Sequence, residues 1–240
     1  MKNFMLIATM VGGAAMLALP GTARAAIGPI PSGWSCSGNC GTDGADGNIP
    51  LSPFGNSSYE FVSTSAGVAG VGTNPFNPPA NPTNGSLLTT SLFTAIAATN
   101  LNFFFDFITS DGSGFPDNAW AGLFTSTGTQ VAELYNTTTA VTPVTANATT
   151  VSWLGGSSGS CYAAGCGNTG WQNINYIIAS AGSYYLQFGT TNANDTAFDT
   201  GLAIDGVTVG GQQIVPEPAS LALLGIGLLG IGALRTRRVR

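Results

Sequence analysis

The charged residues of this chain are divided between its ends and its middle in a way that limits what the middle can become. All six basic residues lie near the two termini: Lys2, Arg24, Arg235, Arg237, Arg238 and Arg240. Residues 26–215 contain no lysine, arginine or histidine, but they contain ten acids: Asp43, Asp46, Glu60, Asp106, Asp111, Asp117, Glu133, Asp195, Asp199 and Asp205. Any carboxylate buried in this segment must therefore be matched by a hydroxyl, an amide, a backbone N–H or a metal ion.

This composition excludes several kinds of function for residues 26–215. Without histidine, the segment has neither a Ser-His-Asp triad nor a histidine-ligated zinc site. Without lysine or arginine, it has nothing to neutralise phosphates, so we expect it to bind no nucleic acid. Carboxylate chemistry, binding through aromatic rings and amides, and coordination of Ca²⁺ by oxygen atoms all remain open.

The amino terminus has the pattern of a secretory signal peptide. Lys2 provides the positive charge, residues 4–19 are apolar, and Ala23-Arg24-Ala25 forms an A-x-A cleavage site. We expect cleavage after Ala25, so that the exported protein begins at Ala26.

The carboxyl terminus has three parts in a fixed order. Val215-Pro216-Glu217-Pro218 precedes the uncharged apolar residues 219–234, and these precede the cluster Arg235, Arg237, Arg238 and Arg240. This arrangement resembles the PEP-CTERM sorting signal. The resemblance implies an exported protein of a Gram-negative bacterium, processed by an exosortase-type enzyme and often encoded beside exopolysaccharide and biofilm genes.

The apolar part of the tail is short for a membrane span. A helix of 16 residues reaches about 24 Å at ~1.5 Å per residue, against about 30 Å for the hydrocarbon core. We expect a short sorting helix that stops transiently in the inner membrane, with its arginines in the cytoplasm, and is cut near Pro216–Pro218. The alternative is a permanent membrane anchor.

Residues 26–214 are expected to form one all-β domain, because short apolar runs alternate with turns rich in Gly, Asn and Pro. The strongest strand predicted is 101–109, where Leu101, Phe103, Phe105 and Phe107 share one face. The other predicted strands are 59–64, 68–71, 119–125, 129–135, 150–154, 184–190 and 202–209, with Gly128 in a hairpin turn. We predict irregular structure over 26–58, a proline-rich loop over 74–85, and either helix or strand over 87–98. The expected architecture is an antiparallel β-sandwich, jelly-roll-like.

Two stretches of the middle carry a second resemblance. LNFFFDFITSDGSGFPDNAWAGLF and FDTGLAIDGVTV resemble paired segments of jelly-roll domains in exported bacterial proteins, including carbohydrate-binding modules. That resemblance implies a structural Ca²⁺ held partly by an Asp on the last strand, at the position of Asp205.

Four acids and one amide are the candidate calcium ligands. Asp106 and Asp205 stand among apolar neighbours in predicted strands, where a carboxylate needs a partner. Asp111, Asp117 and Asn118 follow in the adjoining loop and are the next candidates for a shared site. The alternative is that these carboxylates accept hydrogen bonds from turns or point to solvent. Asp43 and Asp46, in TDGADGN, are predicted to form an Asp-Gly turn rather than a calcium loop.

The four cysteines allow three pairings. Two local bridges, Cys36–Cys40 and Cys161–Cys166, are the simplest, and crossed bridges or a four-cysteine zinc site are the alternatives. The candidates for stacking on sugar rings are Trp34, Trp120, Trp153, Tyr162 and Trp171. Burial in the core is the alternative for each.

The sequence thus predicts an exported protein of the cell surface or extracellular matrix. Its expected role is structural or adhesive, in contact with exopolysaccharide or biofilm matrix. A carbohydrate-binding module is the alternative. A carboxylate-based glycoside hydrolase, built on Glu60 or Glu133 with an aspartate, is a remote one, because nothing in the sequence pairs such residues. We therefore expect no enzyme activity.

Overall fold

The computed structural model describes residues 28–139, 150–153, 155–156 and 159–214. All regular secondary structure in these residues is β-strand. None of the described residues forms a helix that is long and apolar enough to cross a membrane. The predicted signal peptide (1–25) and the predicted sorting segment with its helix (215–240) lie outside the described residues.

Sixteen strands are present in the described part of the chain. In order they are β1 (Ser35–Ser37), β2 (Asn39–Asp43), β3 (Tyr59–Ser63), β4 (Val68–Ala69), β5 (Pro82–Thr89), β6 (Phe93–Ala95), β7 (Thr99–Thr109), β8 (Asn118–Thr125), β9 (Gln130–Thr138), β10 (Thr150–Val151), β11 (Gly159–Ser160), β12 (Gly167–Asn168), β13 (Gln172–Ile178), β14 (Gly182–Ala193), β15 (Thr200–Val209) and β16 (Gln212–Gln213).

These strands form two seven-stranded sheets in which every pairing is antiparallel. The front sheet has the order β1-β5-β14-β8-β9, with β4 beside β5 and β6 beside β14. The back sheet has the order β12-β7-β15-β3-β2, with β13 beside β7 and β16 beside β15. Strands β10 and β11 form a separate pair. The prediction of an antiparallel, sandwich-like β fold is confirmed.

The main core lies between the two sheets. Leu101, Phe103, Phe105 and Phe107 project from β7 into it, as the alternation of the sequence predicts, and all four are buried. Phe103 meets Phe188 of the front sheet edge to face, with ring centroids 5.4 Å apart. Burial of these large rings supplies most of the hydrophobic free energy that holds the sheets together.

A second core covers the outer face of the back sheet. Ile108 and Phe61 project outward from the sheet and pack with Trp153 and Ile49, which come from connecting segments. The Trp153 ring lies so close to the backbone that a Cβ at Gly201 would be 2.2 Å from it. These loops form a third layer, which buries Ile108 on the outer face of β7.

Most of the strand predictions are confirmed to within a few residues, including the hairpin at Gly128, which has a φ of +86°. Two predictions are wrong: residues 26–58 contain β1 and β2, and the loop predicted over 74–85 already enters β5 at Pro82. The choice left open over 87–98 falls to strand, since this segment holds the end of β5 and all of β6. Proline is tolerated at Pro82 because it is the first residue of its strand, where the missing N–H costs little. Strands β12 and β13 were not predicted.

Both disulfides are local, as expected. Cys36–Cys40 joins β1 of the front sheet to β2 of the back sheet, and Gly38 turns the chain between them with a φ of +95°. Cys161–Cys166 closes the connection between β11 and β12. In the chain-entropy account, each bridge stabilises its loop by reducing the freedom of the unfolded chain.

Candidate functional site

Three connecting loops meet at one end of the sandwich, which we call the three-loop end. They are residues 110–117 after β7, 161–166 inside the second disulfide, and 194–199 after β14. Main-chain hydrogen bonds join them: Ser110 N–H donates to Asp199 O (3.1 Å), Tyr162 N–H to Ser110 O (3.0 Å), and Ser113 N–H to Ala164 O (3.2 Å). The three loops are therefore held in a defined arrangement.

Each of these loops contributes one aromatic ring. Phe115 and Tyr162 meet edge to face with centroids 5.0 Å apart, and Tyr162 lies 5.2 Å from Phe198. Tyr162 is 52% exposed and Phe198 is 38% exposed, whereas Phe115 is half-buried. We call these three rings the aromatic trio. It is an amphipathic surface of the kind that carries binding sites, because the rings are large, rigid and open to solvent.

The backbone of Phe198, one of the three rings of the trio, adopts an unfavourable conformation. Its φ is +59°, in the left-handed region, which costs an L-residue with a Cβ about 1–2 kcal/mol. The loop holds this conformation through its neighbours: Asp199 O accepts from Ser110, and Asp199 Oδ1 accepts from the Thr64 hydroxyl at 3.2 Å. Strain of this kind tends to be kept where a side chain must be presented in one direction.

Two of the predicted calcium ligands, Asp111 and Asp117, lie beneath the trio. Both are fully buried. Asp117 Oδ1 accepts from Ala193 N–H (2.9 Å) and Oδ2 accepts from the Thr200 hydroxyl (2.8 Å). Burial, with smaller contributions from the carboxylates of Asp111 and Asp195, raises the pKa of Asp117 to about 8. Burial likewise raises the pKa of Asp111 to about 6.

The other predicted ligands lie elsewhere, so the five residues do not form one site. Asp106 faces outward from β7 and accepts from Asn168 Nδ2 (3.2 Å) and the Thr169 hydroxyl (3.3 Å). Burial raises its pKa to about 7. Asn118 lies on the other sheet, where its Nδ2 donates to Thr137 O (2.8 Å).

Asp205 has the most complete set of donors. Its carboxylate accepts from the Ser52 hydroxyl, from Asn56 Nδ2 (2.7 Å) and from Gly206 N–H (2.6 Å). Gly206 has a φ of +62° and marks the bulge that interrupts the pairing of β15 with β7. Hydrogen bonding was the alternative to a calcium site in the sequence analysis. Asp205 fits that alternative, because its carboxylate accepts from a hydroxyl, an amide and a backbone N–H.

The two remaining acids named from the sequence form a turn. Asp46 and Ile49 exchange backbone hydrogen bonds of 2.9 Å in both directions, and Asp43 Oδ1 accepts from Gly44 N–H at 2.8 Å. The turn carries Ile49 into the second core.

Two of the predicted stacking residues, Trp34 and Trp171, are built into the core regions. Trp34 is only 6% exposed and belongs to the inter-sheet core. Trp171 packs edge to face on Tyr59 at 5.4 Å, and its Nε1–H donates to Pro50 O (2.8 Å). Neither ring stands free on the surface as members of the aromatic trio do.

The two glutamates of the remote hydrolase alternative are also separated. Glu60 lies on β3 of the back sheet and faces the inter-sheet core, where burial and, to a smaller extent, the charge of Asp205 raise its pKa to about 8. Glu133 is exposed on β9 of the front sheet and accepts from Asn74 Nδ2 at 2.7 Å. The hydrolase alternative pairs one of these glutamates with an aspartate, and the pair must flank one bond of a substrate. Asp205 is the acid whose charge acts on Glu60, and Glu60 is buried.

The front sheet carries one open cleft of about 330 Å³. Val71, Pro75 and Leu87 line it, with Gln187 and the edge of Trp120. The Trp120 ring is itself buried, and its Nε1–H donates to Gly72 O (2.7 Å). The cleft therefore has polar side chains in its lining, Ser37, Thr73 and Gln187, but no exposed ring.

Of the aromatic trio, only Tyr162 was a stacking candidate from the sequence, although the sequence contains a signal for all three rings. Phe115, Tyr162 and Phe198 each stand in a short polar stretch, GSGFPD, SCYAAGC and DTAFDT, outside any apolar alternation. A single aromatic residue within a loop has no strand partner to bury it. What the sequence does not give is that the three loops meet.

The carboxyl-terminal segment is identified by its sequence. Residues 215–238 match the PEP-CTERM protein-sorting motif. The motif indicates an exported, envelope-associated protein and implies processing by an exosortase-type enzyme. It covers only the tail and leaves the role of the folded domain open.

Solved structures with a similar arrangement of strands include adhesin and carbohydrate-binding domains. The K1 cleaved adhesin domain of Lys-gingipain from Porphyromonas gingivalis W83 is 12% identical, with 77% of this chain and 94% of that chain covered and a TM-score of 0.40. The K3 cleaved adhesin domain of the same protein is 14% identical, with 78% of this chain and 98% of that chain covered and a TM-score of 0.40. TmCBM61, solved in complex with β-1,4-galactotriose, is 11% identical, with 74% of this chain and 88% of that chain covered and a TM-score of 0.34. No curated protein matches this sequence. Likeness at this level does not transfer a function.

Proposed function

We propose that this chain is an exported surface protein whose domain binds neutral polysaccharide through the aromatic trio, giving it a structural or adhesive role in an exopolysaccharide matrix. The observation that carries the proposal is the trio itself: three rings from three separate loops, two of them well exposed, beside a sandwich whose other large rings are mostly buried. Rings of this kind offer sugars an apolar face, and the neighbouring loop hydroxyls and amides offer hydrogen bonds.

The charge of the domain supports a neutral partner. Residues 26–215 carry ten acids and no base, so an anionic polymer such as nucleic acid is repelled. A neutral glycan is not repelled, and rings and hydroxyls suffice to bind it. The choice of partner therefore follows from the same composition that excluded phosphate binding.

The position of the trio relative to the tail supports surface presentation. Strand β15 begins at Thr200, beside the three-loop end, and the last described residue, Ile214, donates its N–H to Val207 O at 3.0 Å. Seven residues of strand correspond to about 23 Å at ~3.3 Å per residue. The sorting motif begins at the next residue, so the trio lies well away from the point where the tail leaves the domain.

Binding to neutral polysaccharides in affinity gels or on glycan arrays tests the proposal. Tyr162→Ala is expected to weaken binding about tenfold or more, as truncation of a central aromatic contact does. Ile177→Ala is the matched control, because Ile177 is equally exposed (56%) but lies on β13, away from the trio. Equal loss in both variants contradicts the proposal.

Two further outcomes would support a different binding site or a different function. Loss of binding in Gln187→Ala with full binding in Tyr162→Ala would assign the sugar to the cleft of the front sheet. Turnover of a polysaccharide by the purified protein would favour the hydrolase. A domain that binds without turnover, and loses binding only at the trio, is the expected result.

A further inference from the structure

The inter-sheet core changes from apolar to polar as it reaches the three-loop end. Leu186 and Phe188 of β14 project into the core, and strand alternation places Thr190 on the same inner face. Asn192, at a bulge in the pairing with β5, directs its side chain to Asn84 of that strand. Both of these polar residues have no exposed surface. A polar layer therefore closes the space between the two sheets.

The other strands that reach this end add to the layer. Asp117 precedes β8 and lies on the inner side with Ala119, while Thr109 and Thr200 end β7 and begin β15. The hydroxyls of Thr109 and Thr200 are 2.8 Å apart, Thr200 donates to Asp117 Oδ2, and Asp111 N–H donates to Thr109 Oγ1 at 3.0 Å. This chain of contacts links both sheets through oxygen atoms.

Three oxygen atoms of the layer have no hydrogen-bond partner among the described residues. They are Asp111 Oδ2, Thr190 Oγ1 and Asn192 Oδ1, and all three are buried. Asn192 uses its Nδ2 to donate to Asn84 Oδ1 at 3.1 Å, and Asp111 uses its Oδ1 to accept from Gly112 N–H. The carboxylate and amide oxygens can only accept, so what they lack is a donor or a cation. An unmatched buried acceptor costs about 1–3 kcal/mol, so these atoms require an occupant.

Strand register and hydrogen bonds place the residues that carry these atoms at the same end of the core. The register pairs Asn118 with Thr191, which sets Asp117 opposite Asn192. Asp117 Oδ1 accepts from Ala193 N–H, the residue after Asn192. Asp117 is also linked to Asp111 by the hydroxyls of Thr200 and Thr109.

We propose that this oxygen-lined layer binds one Ca²⁺, with the carboxylates of Asp111 and Asp117, the amide oxygen of Asn192 and the hydroxyl of Thr190 as protein ligands. Ca²⁺ takes six to eight oxygen ligands and accepts carboxylate, amide, hydroxyl and water oxygens together. Each carboxylate oxygen of Asp117 has a second lone pair free for a metal while it accepts its hydrogen bond. The domain has no basic side chain to compete for these acids.

The proposed site differs from a cluster of acids alone. No group of three or more His, Cys, Asp or Glu side chains in the described residues is arranged to hold a metal. Two carboxylates with amide and hydroxyl oxygens form the site instead. Of the ligands predicted from the sequence, the site retains Asp111 and Asp117 only.

Thermal unfolding of the full chain with calcium, with magnesium and with EDTA tests the site. At a calcium concentration about a hundred times its dissociation constant, the Tm is expected to rise by about 5 °C or more over EDTA. Magnesium is expected to raise it less, because its small octahedral shell fits a mixed oxygen layer poorly. An unchanged Tm together with no heat of calcium binding in calorimetry would show that the layer holds only buried water and would overturn the proposal.

Two variants with opposite expectations locate the site. Asp117→Asn is expected to lower calcium affinity by about tenfold or more, while Asn192→Asp adds a charged ligand and is expected to raise affinity although it lowers the Tm in EDTA. Glu133→Gln removes the same charge from the exposed front sheet and is the control that leaves calcium affinity unchanged. Calcium binding that is lost in Asp205→Asn and kept in Asp117→Asn would place the ion on the back sheet and overturn the assignment.

Discussion

The back sheet and the three-loop end both bury aspartate side chains, but they differ in how many hydrogen-bond donors surround the carboxylate oxygens. On the back sheet, Asp205 accepts from a hydroxyl, an amide and a backbone N–H, and Asp106 accepts from Asn168 and Thr169. At the three-loop end, Asp111 leaves one oxygen unmatched, as do the neighbouring Asn192 and Thr190. Burial alone therefore does not mark a ligand site. The balance of donors and acceptors around the buried oxygens does.

The largest expected effect on stability comes from replacing Asp205 on the back sheet. Asp205→Ala leaves Ser52, Asn56 and Gly206 without their acceptor, so we expect it to lower the free energy of unfolding by about 3 kcal/mol or more. The loss should be the same in calcium and in EDTA, as measured by denaturant unfolding. A loss seen only in calcium would mean that Asp205, and not Asp117, serves the ion.

The pH dependence of stability should be the next largest effect. Burial raises the pKa of Glu60 to about 8, of Asp106 to about 7 and of Asp117 to about 8, so each holds a proton in the folded protein that the unfolded chain has released. Stability falls with pH wherever the folded state binds more protons. In EDTA the Tm is therefore expected to fall between about pH 4.5 and pH 8.

Measuring the pH dependence of Tm in calcium as well as in EDTA tests whether an ion binds at Asp117. A metal at Asp117 favours the ionised carboxylate, so the fall in Tm towards pH 8 should be smaller in calcium than in EDTA. Parallel curves in the two conditions would contradict an ion at Asp117. A Tm that rises from pH 4.5 to pH 8 in EDTA would contradict the raised pKa values themselves.

A smaller effect is expected from Asp106→Asn. The substitution removes a carboxylate that is protonated at low pH and costly to ionise, and an amide oxygen can still accept from Asn168 or Thr169. At pH 8 we expect a change of about 1 kcal/mol or less, with a shallower dependence of Tm on pH. Loss of calcium binding in this variant would contradict the separation of the two regions.

The smallest effect on stability is expected from Phe198→Gly. Glycine relieves the left-handed backbone of residue 198 but loses the packing on Tyr162, so the free energy of unfolding should change by about 1 kcal/mol or less. Polysaccharide binding should nevertheless weaken. Unchanged binding in a folded Phe198→Gly variant would remove Phe198 from the proposed surface.

Much of the fold could be predicted because strand alternation is local. The aromatic residues at alternate positions of 101–107 predicted a buried strand, and the hairpin at Gly128 followed from its turn residue. Strand β13 was missed although Ile174, Tyr176 and Ile178 alternate towards the core. Its asparagines and the nearby glycines resembled a loop, and an edge strand needs fewer apolar residues than a central one.

The candidate site could be predicted only in part, because it is made by loops that are distant in sequence. Asp111 and Asp117 were recognised as acids near apolar segments. Asn192 and Thr190 carry no signal of their own, since they look like ordinary polar residues at the end of a strand. Only the register of β14 against β8 brings them to the carboxylates.

A crystal structure of the chain grown with calcium tests the contrast between the two regions most directly. We expect anomalous scattering to show one calcium ion between Asp111, Asp117 and Asn192, and none within coordinating distance of Asp205 or Asp106. An ion on Asp205, or a fully hydrated layer with no ion beneath the aromatic trio, would contradict the account.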